Sequence, residues 1–399
     1  MASQTGAAEK EQPDKAPTQD VLPLQQCVSL ADLEQVARVK LSPMALAYYS
    51  TAAETHGAFD HNHRDWRRIG LRPRVLRNVT KVTMRTRIMA SKDKGPNSSL
   101  PIFISPAAAA GLGHPDGERC LARGAARMDI PQCVCTAASV PPRQIMAAFR
   151  ADPLRRGGVL FFQLYVPKVK RNAAKLIAMA KAAGFEALIV TVDTPVIGKR
   201  DADDRFRRPA DVPQDGELLP PLPGDEPGPL RGYHDTTLVW EDLDWIRSLW
   251  GADKPIIVKG IQTVEDALQA TRHGAVDAIY LSNHGGRQLD HAPSAVQTLL
   301  AIREQHPEIL EQTEIYLDGG VRRGTDVVKA LCLGARAVGL GRGFLYALSA
   351  YGTDGVVRAI QILSEEIQTA MRLLGVTDVS QLNDSYLDLS EFAYQRAKI

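Results

Sequence analysis

From residue 101 onward the chain repeats one beat: a short apolar run, a glycine or polar stop, then a helix-forming segment. The runs are PIFIS (101–105), QCVC (132–135), LFFQLYV (160–166), ALIVTVD (187–193), PIIVKG (255–260), AIYLSN (278–283), EIYLDGG (314–320) and AVGLGR (337–342). Between most of them lie segments such as VKRNAAKLIAMAKAAG, TVEDALQATRHG and GTDVVKALCLG, whose apolar residues recur at helical spacing. Strands that are apolar throughout need cover on both faces, the condition of a parallel sheet wrapped by helices. Eight such units close a ring, so the expected fold is α/β, a (β/α)8 TIM barrel. An open doubly wound sheet would need G-x-G-x-x-G after its first strand, and residues 105–113 read SPAAAAGLG instead.

A chain of 399 residues, 44% hydrophobic, can bury one large core, and a single domain over 30–399 is expected, with two smaller domains as the alternative. Residues 1–29 read as a flexible polar tail. Residues 30–55 read as two short helices forming an N-terminal extension, with Asp32 and Ser42 at capping positions and Pro43 in a first turn. The beat breaks once, between strands four and five, where DVPQDGELLPPLPGDEPGPLRG (211–232) is crowded with Pro and Gly. The segment 201–235 therefore reads as a mobile loop or a lid over the barrel mouth.

The 48 basic and 46 acidic residues are spread along the chain, leaving a net charge of +2 and no field that would call for a nucleic-acid partner. The N-terminal MASQTGAAEKEQPDKAPTQD has no basic start leading into an apolar core, and no apolar run reaches the length of a membrane span. Cysteines 27, 120, 133, 135 and 332 are odd in number, and Cys133 and Cys135 lack the two-residue gap of a metal knuckle, so free thiols in a reducing compartment and no metal are expected. The expected location is the cytoplasm. The terminal Ala-Lys-Ile, near to the Ser-Lys-Leu address, makes the peroxisome the alternative.

In a closed barrel the reactive groups sit at the C-terminal strand ends. Gln163 and Tyr165 end the third run, Thr191 and Asp193 the fourth, and Lys259 the fifth. Ser282, Asn283 and His284 end the sixth, Asp318 the seventh, and Gly341-Arg342 the eighth. One polar residue in an apolar strand is often a satisfied core group; six strands doing the same at one mouth make a site.

The segments YYSTAAETHGAFD, LRPRVL, FFQLYV, TVDTPVIGKRDAD, PIIVKG, SNHGGRQLD, LDGGVRRGTDVVKALCLGA and GLGR resemble, in order and from about residue 30 to about 385, those of the FMN-dependent L-2-hydroxy-acid oxidases and dehydrogenases. SNHGGRQLD, TVDTP and LDGGVRRG together are the most specific. The resemblance implies an FMN cofactor, an L-2-hydroxy acid as substrate and a 2-oxo acid as product. It makes His284 the base, and an imidazole near its working pKa suits that task. Asp193 would orient the imidazole. Arg287 and Arg200 would hold the carboxylate with forked donors, and Tyr48 and Tyr165 would hydrogen-bond the substrate.

Lys259 matches the lysine beside the pyrimidine end of the flavin, where its charge would favour the reduced, anionic ring. Gln163, Thr191 and Ser282 match groups that bond the ring, and Ala108 lies where a backbone amide approaches it. Asp318, Gly320, Arg322, Gly341 and Arg342 match the ribityl and phosphate pocket. Three positions depart from the family. Cys135 stands where many members have Ser, Ala107 where many have Thr, and Ala137 where glycolate oxidase has Trp, so substrates larger than glycolate are expected.

Oxygen, giving hydrogen peroxide, is the expected acceptor, since no haem domain precedes residue 30; a quinone or protein carrier is the alternative. Members are commonly tetramers, so a homo-oligomer is expected. An inactive barrel serving as a binding or scaffold protein is the non-enzyme alternative, and it would call for loss of His284, Arg287 or Lys259; all three are present.

Overall fold

In the computed structural model, which describes residues 21–88, 95–207 and 233–392, all eight apolar runs are strands of one closed barrel. They are β1 (Ile102–Ile104), β2 (Gln132–Cys135), β3 (Leu160–Leu164), β4 (Leu188–Thr191), β5 (Ile256–Ile261), β6 (Ala278–Leu281), β7 (Glu314–Leu317) and β8 (Ala337–Leu340). Each pairs in parallel with its chain neighbours, and β8 pairs with β1 to close the ring.

Two buried layers follow from the alternation of side chains along a strand. Phe103, Cys133, Phe161, Ile189, Ile257, Tyr280 and Tyr316 point inward and form one cluster, with Ile88 among them. Ile88 directly follows Thr86–Arg87, which pairs antiparallel with Asn97–Ser98 ahead of β1, and its side chain joins the inward cluster. The outward residues join the helices in a second, larger core.

Three helices precede the barrel: α1 (Leu30–Lys40), α2 (Pro43–Ser50) and α3 (Gly57–Arg67). Ser29 caps α1 and Asp32 completes the capping box, while Ser42 caps α2 with Pro43 in its first turn. α1 packs on α4 (Arg342–Leu373), the long helix that follows β8 and is interrupted at Tyr351-Gly352.

Within the expected tail of residues 1–29, residues 21–29 are described and carry local structure. Leu24–Gln26 form a 3-10 turn and Cys27 is fully buried, because its thiol fills the core beside α1 where an exposed tail would leave a gap. Residues 1–20 lie outside the described residues, as do 208–232, the greater part of the expected lid. Its described ends are a short helix, Asp201–Arg207, and the pair Tyr233-His234, tied by a bridge to Pro167 just beyond β3.

Candidate active site

The inward alternation turns from apolar to polar two residues further along seven of the eight strands, β8 having Gly339 there. Ser105, Cys135, Gln163, Thr191, Lys259, Ser282 and Asp318 follow Phe103, Cys133, Phe161, Ile189, Ile257, Tyr280 and Tyr316 at that spacing. A cavity of about 490 Å³ opens there, at the C-terminal mouth.

His284 lines it. Its Nδ1 lies 2.8 Å from Asp193 Oδ1, and its Nε2 lies 3.1 Å from the Tyr165 hydroxyl. Thr194 Oγ1 donates to the same carboxylate oxygen at 2.9 Å, and Lys259 Nζ stands 4.0 Å from Asp193 Oδ2. Gly260 gives Asp193 its seat: φ there is +109°, and a Cβ would lie 2.6 Å from Asp193 Cβ.

Burial works against charge on Asp193, but the charges of His284 and Lys259 and the bonds from His284 and Thr194 outweigh it and hold the carboxyl at about 2. Burial, reinforced by Lys259 and only partly countered by Asp193, presses His284 below its ordinary value. The pair at neutral pH is therefore a carboxylate and a neutral imidazole. A carboxylate can only accept, so the ring proton belongs on Nδ1, and the lone pair of Nε2 faces Tyr165 and the cavity. His284 has φ +59°, an uncommon conformation for a residue other than glycine.

Two arginines flank this dyad. Arg287 Nη1 donates to the carbonyls of Tyr48 (2.8 Å) and Thr51 (3.2 Å), and its guanidinium lies 5.0 Å from the Tyr48 ring centroid. Arg200 donates to Arg287 O and Gln288 Oε1, each at 3.1 Å. Burial and the Arg287 charge lower Arg200 to about 10, which still leaves it protonated at neutral pH. Of the adjacent tyrosines, Tyr48 is half-buried on the cavity wall, whereas Tyr49 is 1% exposed and its hydroxyl donates to Ala109 O at 2.9 Å.

Beneath the cavity runs a chain of hydroxyls. Lys259 Nζ donates to Ser282 Oγ at 2.9 Å, and Ser282 Oγ to Asp318 Oδ1 at 2.6 Å. Tyr280 and Ser105 donate to Asp318 Oδ2 at 2.8 and 3.2 Å. Gln163 Nε2 donates to Thr191 Oγ1 at 2.9 Å, and its Oε1 accepts from Thr136 N at 3.2 Å. Cys135 Sγ accepts from Ala137 N at 3.4 Å, and burial pushes its thiol up to about 12.

At the β7 and β8 ends, Gly319, Gly320 and Gly341 line the cavity with Arg322 and Arg342. Gly320 has φ +73°, and a Cβ there would run into the Asn62 carbonyl oxygen. Arg342 donates to Tyr49 O (3.0 Å), Thr51 O (3.1 Å) and Gly285 O (3.0 Å). Burial, then the nearby Arg287 charge, lowers Arg342 to about 9. Arg322 pairs with Glu34 of α1. His63, held down to about 4 by burial and by Arg322 and Arg342, completes this end as a neutral ring.

A family model described as FMN-dependent dehydrogenase matches residues 37–389. The chain belongs to the FMN-dependent dehydrogenase family. It is 41% identical over 370 residues to "L-lactate dehydrogenase (cytochrome)" of Wickerhamomyces anomalus, a match covering 92% of this chain and 62% of that relative's length. It is 36% identical over 373 residues to a peroxisomal (S)-2-hydroxyacid oxidase of Arabidopsis thaliana, covering 91% of this chain and 97% of the relative. Among solved structures, the flavin-binding domain of baker's yeast flavocytochrome b2 superposes with a TM-score of 0.82 at 36% identity, covering 94% of this chain and 89% of that one.

The residues present fit the flavin for which the family is named. A phosphate dianion needs backbone donors and positive charge not matched by a carboxylate, which the three glycines and Arg342, bonded to backbone carbonyls, offer, with Arg322, paired to Glu34, beside them. The ring needs a cation and fixed polar groups, which Lys259, Thr191 and the bonded amide of Gln163 offer.

Most of the residues expected from sequence line the cavity directly: Tyr48, Ala107, Ala108, Ala137, Tyr165, Thr191, Arg200, Lys259, His284, Arg287, Asp318, Gly320, Arg322, Gly341 and Arg342. Four sit one layer below, each bonded to a wall residue: Asp193 to His284, Cys135 to Ala137, Gln163 to Thr191 and Ser282 to Lys259. Sequence reasoning missed Ser105, Tyr280, His63, Thr194 and His234. Ser105 ends the run PIFIS, and the strand-end rule applied to the other runs would have found it. His234 follows the proline-rich stretch and carries no such signal.

Proposed function

We propose that this chain oxidises an L-2-hydroxy acid to the 2-oxo acid. The observation that carries the reading is a carboxylate-oriented His284 facing the same cavity as Arg287, Arg200 and Lys259. Arg287 and Arg200 would hold the substrate carboxylate, and Tyr48 and Tyr165 would bond the substrate's oxygens. That alignment brings the alcohol carbon to His284, whose Nε2 takes one of the two protons released, and Asp193 stabilises the imidazolium that forms. Asp318, Gly320, Gly341, Arg322 and Arg342 would hold the ribityl phosphate, with Lys259, Thr191, Gln163, Ser282, Cys135, Ala107 and Ala108 about the ring. Bound FMN supplies the two-electron acceptor and passes the electrons on.

We take oxygen as the final acceptor, giving hydrogen peroxide, in keeping with the near-complete alignment to a 2-hydroxyacid oxidase. Transfer to a protein carrier is the second reading, favoured by the higher identity to a cytochrome-linked lactate dehydrogenase. A homotetramer belongs to the same proposal, as does a cytoplasmic or peroxisomal location. The test reduces the purified yellow protein with a panel of L-2-hydroxy acids under nitrogen, then mixes it with air or with ferricytochrome c. Bleaching followed by rapid return of colour in air supports the oxidase; return only with the cytochrome supports the carrier; no bleaching by any member of the panel ends the proposal.

A further inference from the structure

A second cavity of about 480 Å³ adjoins the first, beyond the dyad. Its walls are largely apolar, with Val166, Leu238, Trp240, Leu243, Leu289 and Ala292 among them. Among the described residues, three line both cavities: Thr191, Thr194 and His234. Thr191 is bonded to Gln163 and Thr194 to Asp193, so both threonines are tied to groups already placed in the site.

His234 has no such tie. It is 8% exposed, and among the described residues its buried Nδ1 has no hydrogen-bond partner. What holds the ring is packing: it meets the Tyr165 ring edge-on at 4.9 Å and 86°, and the Tyr233 ring at 5.5 Å and 89°. The backbone on both sides is fixed, Lys168 N donating to Tyr233 O at 3.0 Å and Asp235 N to Val166 O at 2.9 Å. The imidazole is held by packing, and since among the described residues nothing polar pairs with Nδ1, its position is explained by the space it closes.

We propose that His234 is a specificity-determining residue, its ring shutting the substrate cavity off from an apolar chamber that would take the hydrocarbon end of a long, linear 2-hydroxy acid. This rests on the oxidation of 2-hydroxy acids proposed above. The chamber matches such a tail in chemistry, because its lining is largely apolar, although Asp193, Asp235 and Asp266 also face it, and it adjoins the substrate site at the three shared residues. The parent protein therefore favours short acids, and removing the ring joins the two spaces.

The test compares kcat/KM for L-lactate and L-2-hydroxyoctanoate in the parent, His234→Ala, His234→Phe and the double variant His234→Ala/Val239→Trp. Val239 lines the chamber and is 54% exposed, so a larger side chain there can refill the space with little strain on the core. One extra methylene in an apolar pocket discriminates by about 10- to 200-fold. His234→Ala is thus expected to move the ratio towards the octanoate by about tenfold or more, His234→Phe to keep the parent ratio, and the double variant to return to it.

An unchanged ratio in His234→Ala overturns the inference. So does an equal loss on both substrates that His234→Phe restores, because the ring would then act only by seating Tyr165. A parent that no 2-hydroxy acid bleaches refutes the underlying function and this inference with it, whereas a parent that bleaches while the ratio stays fixed refutes this inference alone.

Discussion

Replacing Asp193 by Asn tests the proton machinery at its most buried point. The carboxylate is 0% exposed, 2.8 Å from His284 Nδ1 and 4.0 Å from Lys259 Nζ, so solvent does little to screen it. Two unit charges about 4 Å apart at an effective dielectric near 20 interact by about 4 kcal/mol. That is the scale on which Asp193 favours the imidazolium that forms as His284 takes its proton. Since about 1.4 kcal/mol is a factor of ten, the variant should reduce its flavin about three orders of magnitude more slowly. Asn can also donate to Nδ1, which would move the ring proton to Nε2 and blunt the base, adding to the loss. The assay is anaerobic stopped-flow bleaching by a saturating 2-hydroxy acid, with FMN content measured after unfolding to show that the cofactor is retained. Reduction within tenfold of the parent, FMN still bound, would refute the charge argument.

Burial holds His284 below its ordinary value, and a base works only when unprotonated, so kcat/KM for the parent should stay level down through neutrality and fall only below pH about 6.5; a fall that begins above neutrality contradicts that assignment. Arg287→Lys keeps the charge and loses the fork, so half-saturation should rise and reduction should slow, and steady-state and single-turnover kinetics unchanged from the parent would remove Arg287 from the carboxylate site. Ala137→Trp fills the cavity wall with an indole and should shift the efficiency ratio towards glycolate, against the best bulky acid, by about tenfold; equal ratios would mean that residue 137 does not meet the substrate. Gly320→Val forces a side chain into the Asn62 carbonyl at a left-handed φ and should cost roughly 2–4 kcal/mol, seen as a lower melting temperature and loss of FMN.

The barrel could be read from the sequence because each strand is apolar on both faces and each ends at a residue that breaks the run. The site could be read because the polar side chains at those ends keep the inward alternation, as Gln163 follows Phe161 and Asp318 follows Tyr316. α3 could not. GAFDHNHRDWR is mostly polar, and its helix is held by tertiary bonds that no local pattern announces: Asn62 to Asn283, Asp65 to Ser294 and Trp66 Nε1 to Gly319 O. Tyr280 looked like one more apolar strand residue, and only the pairing of β6 with β7 brings its hydroxyl to Asp318, 38 residues away. His234 escaped for the same reason, since its contact with Tyr165 is made across two strands' connections and not along either.

The central claim is that His284 takes the substrate's proton while other residues hold the flavin. His284→Gln, purified with FMN, measures it directly. The variant should show the parent's flavin spectrum and bleach at the parent rate with a chemical reductant, while reduction by the best L-2-hydroxy acid slows by about three orders of magnitude, within the range for loss of a general base. A variant that the hydroxy acid reduces at near the parent rate, with its flavin intact, contradicts the account.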